Sequence, residues 1–200
     1  MAAELVSQSI DLAGGEIRLL QPRESAELPD AGGIEWAPIA PYWSVLWRSG
    51  VALARELDAA SRAGLRIVEL GCGLAAPSIA SARAGAAVLA TDACAEAVAL
   101  AACNALANGV PIETARVDWA EPAELVARAP FDLALAADVF YERSAVAALL
   151  SLLPRLAPRA WVADPGRPAA DAFLEEARSR GWSVETRLRG VVRIHRLQLA

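Results

Sequence analysis

The sequence contains no lysine: all 19 of its basic side chains are arginine, set against 24 acidic ones, for a net charge of −5 over 200 residues. That balance argues against a nucleic-acid partner, because gripping a phosphate backbone takes clustered cations. Histidine occurs once, as His195, between Arg193 and Arg196 in a strand-like run. With no second His and no Cys at ligand spacing, it is expected to be a surface strand residue, and no metal site is expected. Cysteine is scarce: Cys72, Cys94 and Cys103 make an odd count without a Cys-x-x-Cys. This excludes a disulfide framework and points to a reducing compartment, taken as the cytoplasm. Long apolar runs are missing too. The longest uncharged stretch, Ala97 to Ile112, carries Asn104, Asn108, Gly109 and Pro111. It falls short of the ~20 apolar residues a membrane span needs, so no membrane partner is expected. The first residues show no basic cluster followed by an apolar core, so no secretory signal is expected. Neither a Gly-x-Ser-x-Gly elbow nor a Gly-Lys-Ser/Thr phosphate loop occurs.

What is present is a regular alternation. From Arg66 onward, short apolar runs that read as strands (66–70, 87–91, 112–117, 131–139 and 159–163) alternate with helical stretches. Such an order implies a parallel sheet with helices on both faces. The last two runs, Trp182 to Leu188 and Val191 to Leu199, meet at Arg189-Gly190 and read as a hairpin. Five βα units plus this hairpin predict an α/β fold with a seven-stranded, mostly parallel sheet and an antiparallel C-terminal hairpin strand. Upstream, Ser7–Leu12 and Glu16–Leu20 suggest a small hairpin turned at Gly14-Gly15, and residues 22–40, rich in Pro and Gly, read as loop. Residues 1–48 are therefore expected to form a small N-terminal arm or cap, and residues 49–200 one compact domain.

The chemistry concentrates where strands end. Glu69-Leu70-Gly71-Cys72-Gly73 lies where the first strand of the domain turns into a helix. Small residues there let backbone approach a ligand, and the helix N-terminus offers unpaired N–H groups. Asp92, 19 residues after Gly73, closes the second strand, where a carboxylate can accept both hydroxyls of a ribose. Asp118-Trp119 closes the third strand, suited to an adenine amino group and ring face. These residues point to an adenosine-type cofactor. Gly71-x-Gly73-x-x-Ala76 also satisfies a dinucleotide pattern, but Glu69 inside the strand and the terminal hairpin are foreign to that fold.

With Asp138-Val-Phe-Tyr141 after the fourth strand, Pro41-Tyr-Trp-Ser-Val-Leu-Trp47 upstream and Asp164-Pro-Gly-Arg-Pro168 after the fifth, the chain resembles a class I S-adenosylmethionine-dependent methyltransferase. More narrowly it resembles the lysine-specific protein methyltransferases of family 16. Within that family it is most similar to the electron transfer flavoprotein β-subunit lysine methyltransferases and their bacterial relatives, often labelled predicted nicotinamide N-methyltransferases. Ala75 departs from the pattern, where many class I enzymes keep a third Gly. The resemblance implies a Rossmann-like fold and S-adenosylmethionine as cofactor, held by Trp47, Glu69, Gly71, Gly73, Asp92, Asp118, Trp119 and the backbone near Ala137. It implies Asp138 and Tyr141 at the reacting centre, with Trp43, Asp164 and Arg167 on the substrate side. It also implies methyl transfer to the lysine amine of a partner protein, with the electron transfer flavoprotein β subunit as a candidate.

Other readings stay open on residues alone. Asp138 could instead cap the helix that follows it. Trp43 and Trp47 would share a face if their segment were helical. Arg167 could receive an acidic or carbonyl group of a substrate. A small-molecule N-methyltransferase with a pyridine-type acceptor is the first rival, and an NAD-binding oxidoreductase or non-catalytic cofactor-binding module the second. An open, acidic rim around Tyr141 would favour a protein acceptor, and a closed pocket a small one.

Overall fold

The computed structural model describes residues 4–26, 41–141 and 143–200. Most of the loop expected over residues 22–40 lies outside them. Two strands, β1 (Leu5–Leu12) and β2 (Gly15–Pro22), form the expected N-terminal hairpin, followed by the single turn α1 (Arg23–Ala26). A 3-10 turn at Tyr42–Ser44 leads into α2 (Arg48–Asp58). Then the alternation begins: β3 (Arg66–Leu70), α3 (Ala76–Arg83), β4 (Ala87–Asp92), α4 (Ala95–Ala107), β5 (Glu113–Arg116), α5 (Ala123–Val126), β6 (Leu133–Ala137), α6 (Ser144–Leu156), β7 (Arg159–Asp164) and α7 (Pro168–Ser179). The hairpin β8 (Trp182–Arg189) and β9 (Val192–Leu199) ends the chain.

The main sheet has seven strands in the order β5-β4-β3-β6-β7-β9-β8. Its first five are parallel, and β9 joins β7 antiparallel, as the alternation and terminal hairpin predict. Strands β3 and β6 are buried along nearly their whole length, which is why Ile-Val-Glu-Leu and Leu-Ala-Leu-Ala read as continuous apolar runs rather than alternating ones. The chain winds outward from β3 through β4 to β5, then returns to β6 on the other side of β3. This reversal opens a crevice at the carboxyl ends of β3 and β6.

The N-terminal hairpin shares the domain's core. Ile10, Leu12, Ile17 and Leu19 pack in one buried cluster with Leu53, Leu57 and Ile79. Each such side chain contributes about 1.5–3 kcal/mol on burial. The free edge of β2 is covered by α4. Asn104 accepts the Leu20 N–H through Oδ1 (2.7 Å) and donates to the Leu20 carbonyl, while Asn108 Oδ1 accepts the Arg18 N–H. Two amide side chains thus finish a strand edge that would otherwise be open to another chain.

His195 corrects the sequence reading. It is 1% exposed, because β9 runs between β7 and β8 instead of along the sheet edge. Its Nδ1 lies 2.8 Å from the Thr186 hydroxyl. Burial, reinforced by the Arg193 charge, pushes its pKa below the usual histidine value. Among the described residues no group of His, Cys, Asp and Glu is arranged to hold a metal, and no helix is long and apolar enough to cross a membrane.

Candidate functional site

The carboxyl ends of the parallel strands and the segment from Tyr42 to Gly50 enclose a cleft of about 720 Å³. Twelve of the thirteen residues singled out in the sequence line it: Trp43, Trp47, Glu69, Gly71, Gly73, Asp92, Asp118, Trp119, Ala137, Asp138, Tyr141 and Arg167. Asp164 is wholly buried behind them.

The floor is the glycine turn. Gly71 and Gly73 have φ of 72° and 49°, a region closed to most side chains. A Cβ on Gly71 would stand 3.2 Å from Val139 and 3.7 Å from the Trp119 ring; one on Gly73 would stand 2.8 Å from the Trp43 carbonyl oxygen. The Thr91 carbonyl accepts both the Gly71 and Cys72 N–H groups at 2.9 Å. Ala75, in place of a third Gly, also takes a positive φ of 63° at the start of α3. Glu69 is 1% exposed and accepts the N–H and hydroxyl of Ser78, tying the turn to the first residues of α3. Burial pushes the Glu69 pKa up to about 8, against the two bonds from Ser78 and with the Asp92 charge adding to the rise.

Asp92 stands at the end of β4. One carboxylate oxygen accepts the Gly73 N–H and the other the Cys94 N–H, both at 3.0 Å. Each oxygen keeps a lone pair for a further donor. At the end of β5, Asp118 is exposed and holds its own turn by accepting the Ala120 N–H, while Trp119 lies half-buried over Gly71.

The other wall carries charge. Asp138 follows β6 with a φ of 59°, rare for a residue bearing a side chain. Its side chain is 6% exposed, and Oδ2 accepts the Ser49 N–H at 3.1 Å while Oδ1 accepts Arg167 Nη1 at 2.7 Å. Asp138 therefore caps a helix, but it is α2 rather than the following α6, whose N-cap position is Arg143. Trp47, at the start of α2, offers no capping side chain, so the acid comes from across the fold. Burial raises the Asp138 pKa above the usual carboxylate value, and the Arg167 bond and charge oppose the rise. Arg167 also reaches Asp164 Oδ2 at 3.2 Å. Its Nη1 is thus engaged by two acids of its own chain.

Aromatic rings form the mouth. Tyr141 is 58% exposed and stacks on Tyr42 with centroids 5.4 Å apart. Trp47 lies next to Tyr42 and donates its indole N–H to the Tyr42 carbonyl at 2.8 Å. Trp43 and Trp47 do not share a helical face, because Val45 and Trp47 are extended between the 3-10 turn and α2. Both tyrosines of the mouth are exposed. Its charge is mixed, since exposed Arg143 lines it along with the acids.

Three contributors escaped the sequence reading. Ser49 and Val139 act through backbone position and packing, which leave no local signature. Ser78 had one: a hydroxyl in the first turn of a helix that follows a strand acid.

A family model described as lysine methyltransferase matches residues 42–162. The electron transfer flavoprotein beta subunit lysine methyltransferase of Mus musculus is 30% identical over 168 residues, 76% of this chain and 61% of that protein. The histone-arginine methyltransferase METTL23 of Xenopus laevis is 29% identical over 154 residues, 74% of this chain and 63% of that protein. The chain thus spans about three fifths of the length of these curated relatives. Among solved structures, a TehB-like SAM-dependent methyltransferase from Corynebacterium glutamicum superposes with a TM-score of 0.59 at 21% identity, covering 74% of this chain and 88% of that one. The 16S rRNA N2 G1207 methyltransferase of T. thermophilus, in complex with AdoMet and guanosine, gives a TM-score of 0.67 at 15% identity, covering 98% of this chain and 51% of that one. At these identities the likeness establishes a common Rossmann-like fold.

Proposed function

The chain belongs to the lysine methyltransferase family, and on that premise we propose that it transfers a methyl group from S-adenosylmethionine to the lysine amine of a partner protein. The observation that carries the reading is one cleft joining the glycine turn and Asp92 to Asp138 and the exposed Tyr141. Its volume suits a nucleoside-sized ligand. The bare Cα positions of Gly71 and Gly73, the half-buried Asp92 and the Trp119 ring fit that cofactor. Asp92 would take the ribose hydroxyls, Asp118 and Trp119 the adenine, and Trp47 with the Ala137 backbone the remainder. When bound, S-adenosylmethionine supplies an electrophilic methyl on a sulfonium.

The chain's own residues would handle the acceptor. A lysine amine near pH 7 carries a proton whose removal costs roughly 4.6 kcal/mol from a reference pKa of ~10.4. Asp138, already bonded to Arg167, is a poor base for that proton, so the open mouth passes it to water. Tyr141 and Tyr42 present stacked ring faces to a cation, and Asp138 anchors it. Positioning is then the main contribution of the protein.

The exposed ring of Tyr141 supports a protein acceptor over an enclosed small molecule. The electron transfer flavoprotein β subunit is a candidate partner on the strength of the Mus musculus relative. Three free cysteines support a reducing compartment such as the cytoplasm. The test is methylation of a cell lysate with labelled cofactor, followed by mass spectrometry. Label on lysine residues of a protein is expected. A chain without lysine gives no lysine self-labelling in a tag-free preparation. Label confined to small molecules would hand the function to the pyridine-type rival, and label on arginine would change the acceptor class.

A further inference from the structure

Arg167 links two carboxylates through one nitrogen. Its Nη1 lies 2.7 Å from Asp138 Oδ1 and 3.2 Å from Asp164 Oδ2. The two acids are not equivalent. Asp164 is fully buried, and its Oδ1 accepts the N–H groups of Gly166 and Arg167 at 2.6 Å each, so it is fixed to the turn that carries Arg167. Asp138 and Arg167 both line the cleft, and Asp164 does not. The Arg167 side chain is 25% exposed, the most accessible of the three.

Among the described residues two carboxylates share this one guanidinium, so with both ionised the trio carries a net negative charge. A buried negative excess attracts a second cation from the cleft. Each Asp138 oxygen accepts one described bond and keeps room for another.

We infer that Arg167 is a positioning residue that stands in for the acceptor's cation: in the free protein its guanidinium holds Asp138, and an incoming ammonium shares or takes that oxygen while Arg167 shifts onto Asp164. This deepens the proposed function and rests on the reading of the cleft as a methyl-transfer site. It explains why one turn carries both an Arg and a buried Asp: the Asp gives the displaced guanidinium a place to stay. It also favours cationic acceptors over neutral ring nitrogens, which have no use for Asp138.

The charged groups around Asp138 are Arg167 from the β7–α7 turn and Asp164 from β7. Helix α2 presents the Ser49 N–H and the positive end of its dipole, with Arg48 exposed beside it, and the loop after β6 contributes Tyr141 and Arg143 at the mouth. Burial raises the Asp138 pKa and Arg167 holds it down, so losing Arg167 raises it further.

The probe is n-butylammonium, the end of a lysine side chain, titrated by tryptophan fluorescence into the complex with S-adenosylhomocysteine between pH 6 and 9. Its charge is constant there, as for a lysine with pKa ~10.4. Asp164→Asn leaves Arg167 only one charged acceptor, so it clings to Asp138; butylammonium should bind roughly threefold to tenfold more weakly at every pH, the scale of one ordinary hydrogen bond. Arg167→Met removes the competitor and lifts the Asp138 pKa further, so its binding relative to wild type should strengthen as pH rises from 6 to 9. Arg167→Lys keeps a cation and should restore the wild-type pH dependence. Neutral n-butanol should show none of these effects. Arg167→Met weakened by one factor at all pH values would leave Arg167 a merely structural residue and overturn the inference, as would Asp164→Asn binding as wild type does, or no butylammonium binding to any form. Failure of the wild-type protein to bind S-adenosylhomocysteine would be a different result, striking the reading of the cleft itself.

Discussion

The carboxyl of Glu69, inside the central strand β3, accepts both the N–H and the hydroxyl of Ser78 on α3, and at 1% exposure it has almost no water. The strand acid therefore fastens the glycine turn to its helix, and burial lifts its pKa from 4.5 to about 8.

A stability consequence follows with a definite sign. The folded protein binds this proton more tightly than the unfolded chain, so the stabilisation is complete below the unfolded value of 4.5 and is lost as pH rises through about 8. Within that window Glu69 makes stability fall by up to about 1.4 kcal/mol per pH unit. Glu69→Gln keeps an acceptor for Ser78 and carries no titratable proton. Urea unfolding at pH 5, 7 and 9 should show the variant losing less stability than wild type across the series. Parallel curves would refute the ionisation.

Gly73→Ala would place a Cβ 2.8 Å from the Trp43 carbonyl oxygen in a left-handed conformation. The left-handed backbone costs roughly 1–2 kcal/mol, and relieving the overlap must move the aromatic segment. The expected outcome is a lower thermal midpoint together with weaker S-adenosylhomocysteine binding by calorimetry. Wild-type values for both would mean the segment does not rest on the turn.

Asp92→Ala should weaken S-adenosylmethionine binding by roughly 1.5–3 kcal/mol, the worth of a charge-assisted bond to the ribose. The mutation also frees the Gly73 and Cys94 N–H groups, so Asp92→Asn is the cleaner variant: one amide oxygen can still accept a backbone N–H. Calorimetry showing unchanged affinity in both variants would remove Asp92 from the cofactor site.

At the reacting centre the informative pair is Asp138→Asn and Tyr141→Ala. Asp138→Ala would strand the Ser49 N–H and leave Arg167 short of a partner, mixing stability with chemistry. Asp138→Asn preserves the cap on α2 and removes the charge. Turnover should drop roughly tenfold to 100-fold in Asp138→Asn, the worth of a charge-assisted bond to the ammonium, and clearly in Tyr141→Ala, with cofactor affinity nearly intact. Wild-type turnover in both on a labelled lysine substrate would move the chemistry elsewhere.

Local spacing by itself determined the frame of this protein. Continuous apolar runs at 66–70 and 131–139, each followed by helix-forming residues, dictate parallel strands. Gly71 and Gly73 dictate the turn, and a strand-terminal acid at Asp92 dictates what faces it. All of these depend on neighbours in sequence, so they are legible there. What tertiary structure alone decided are relations between residues far apart in the chain. Asp138 caps α2 through Ser49, 89 positions away, since the curl of the chain after β6 brings the acid to a helix whose own N-cap residue, Trp47, offers no capping side chain. Asn104, inside α4, and Asn108, its C-cap, also complete the edge of β2, because the hairpin docks on α4. His195 reads as surface and is buried, because the hairpin enters the sheet through its second strand and leaves β8 at the edge. Arg167 reads as a candidate receptor for a substrate group, and its Nη1 is bonded to Asp138 and Asp164, since β6 and β7 end side by side. Propensity and periodicity act over a few residues, whereas burial and charge pairing are set by whichever segments the packed sheet brings together.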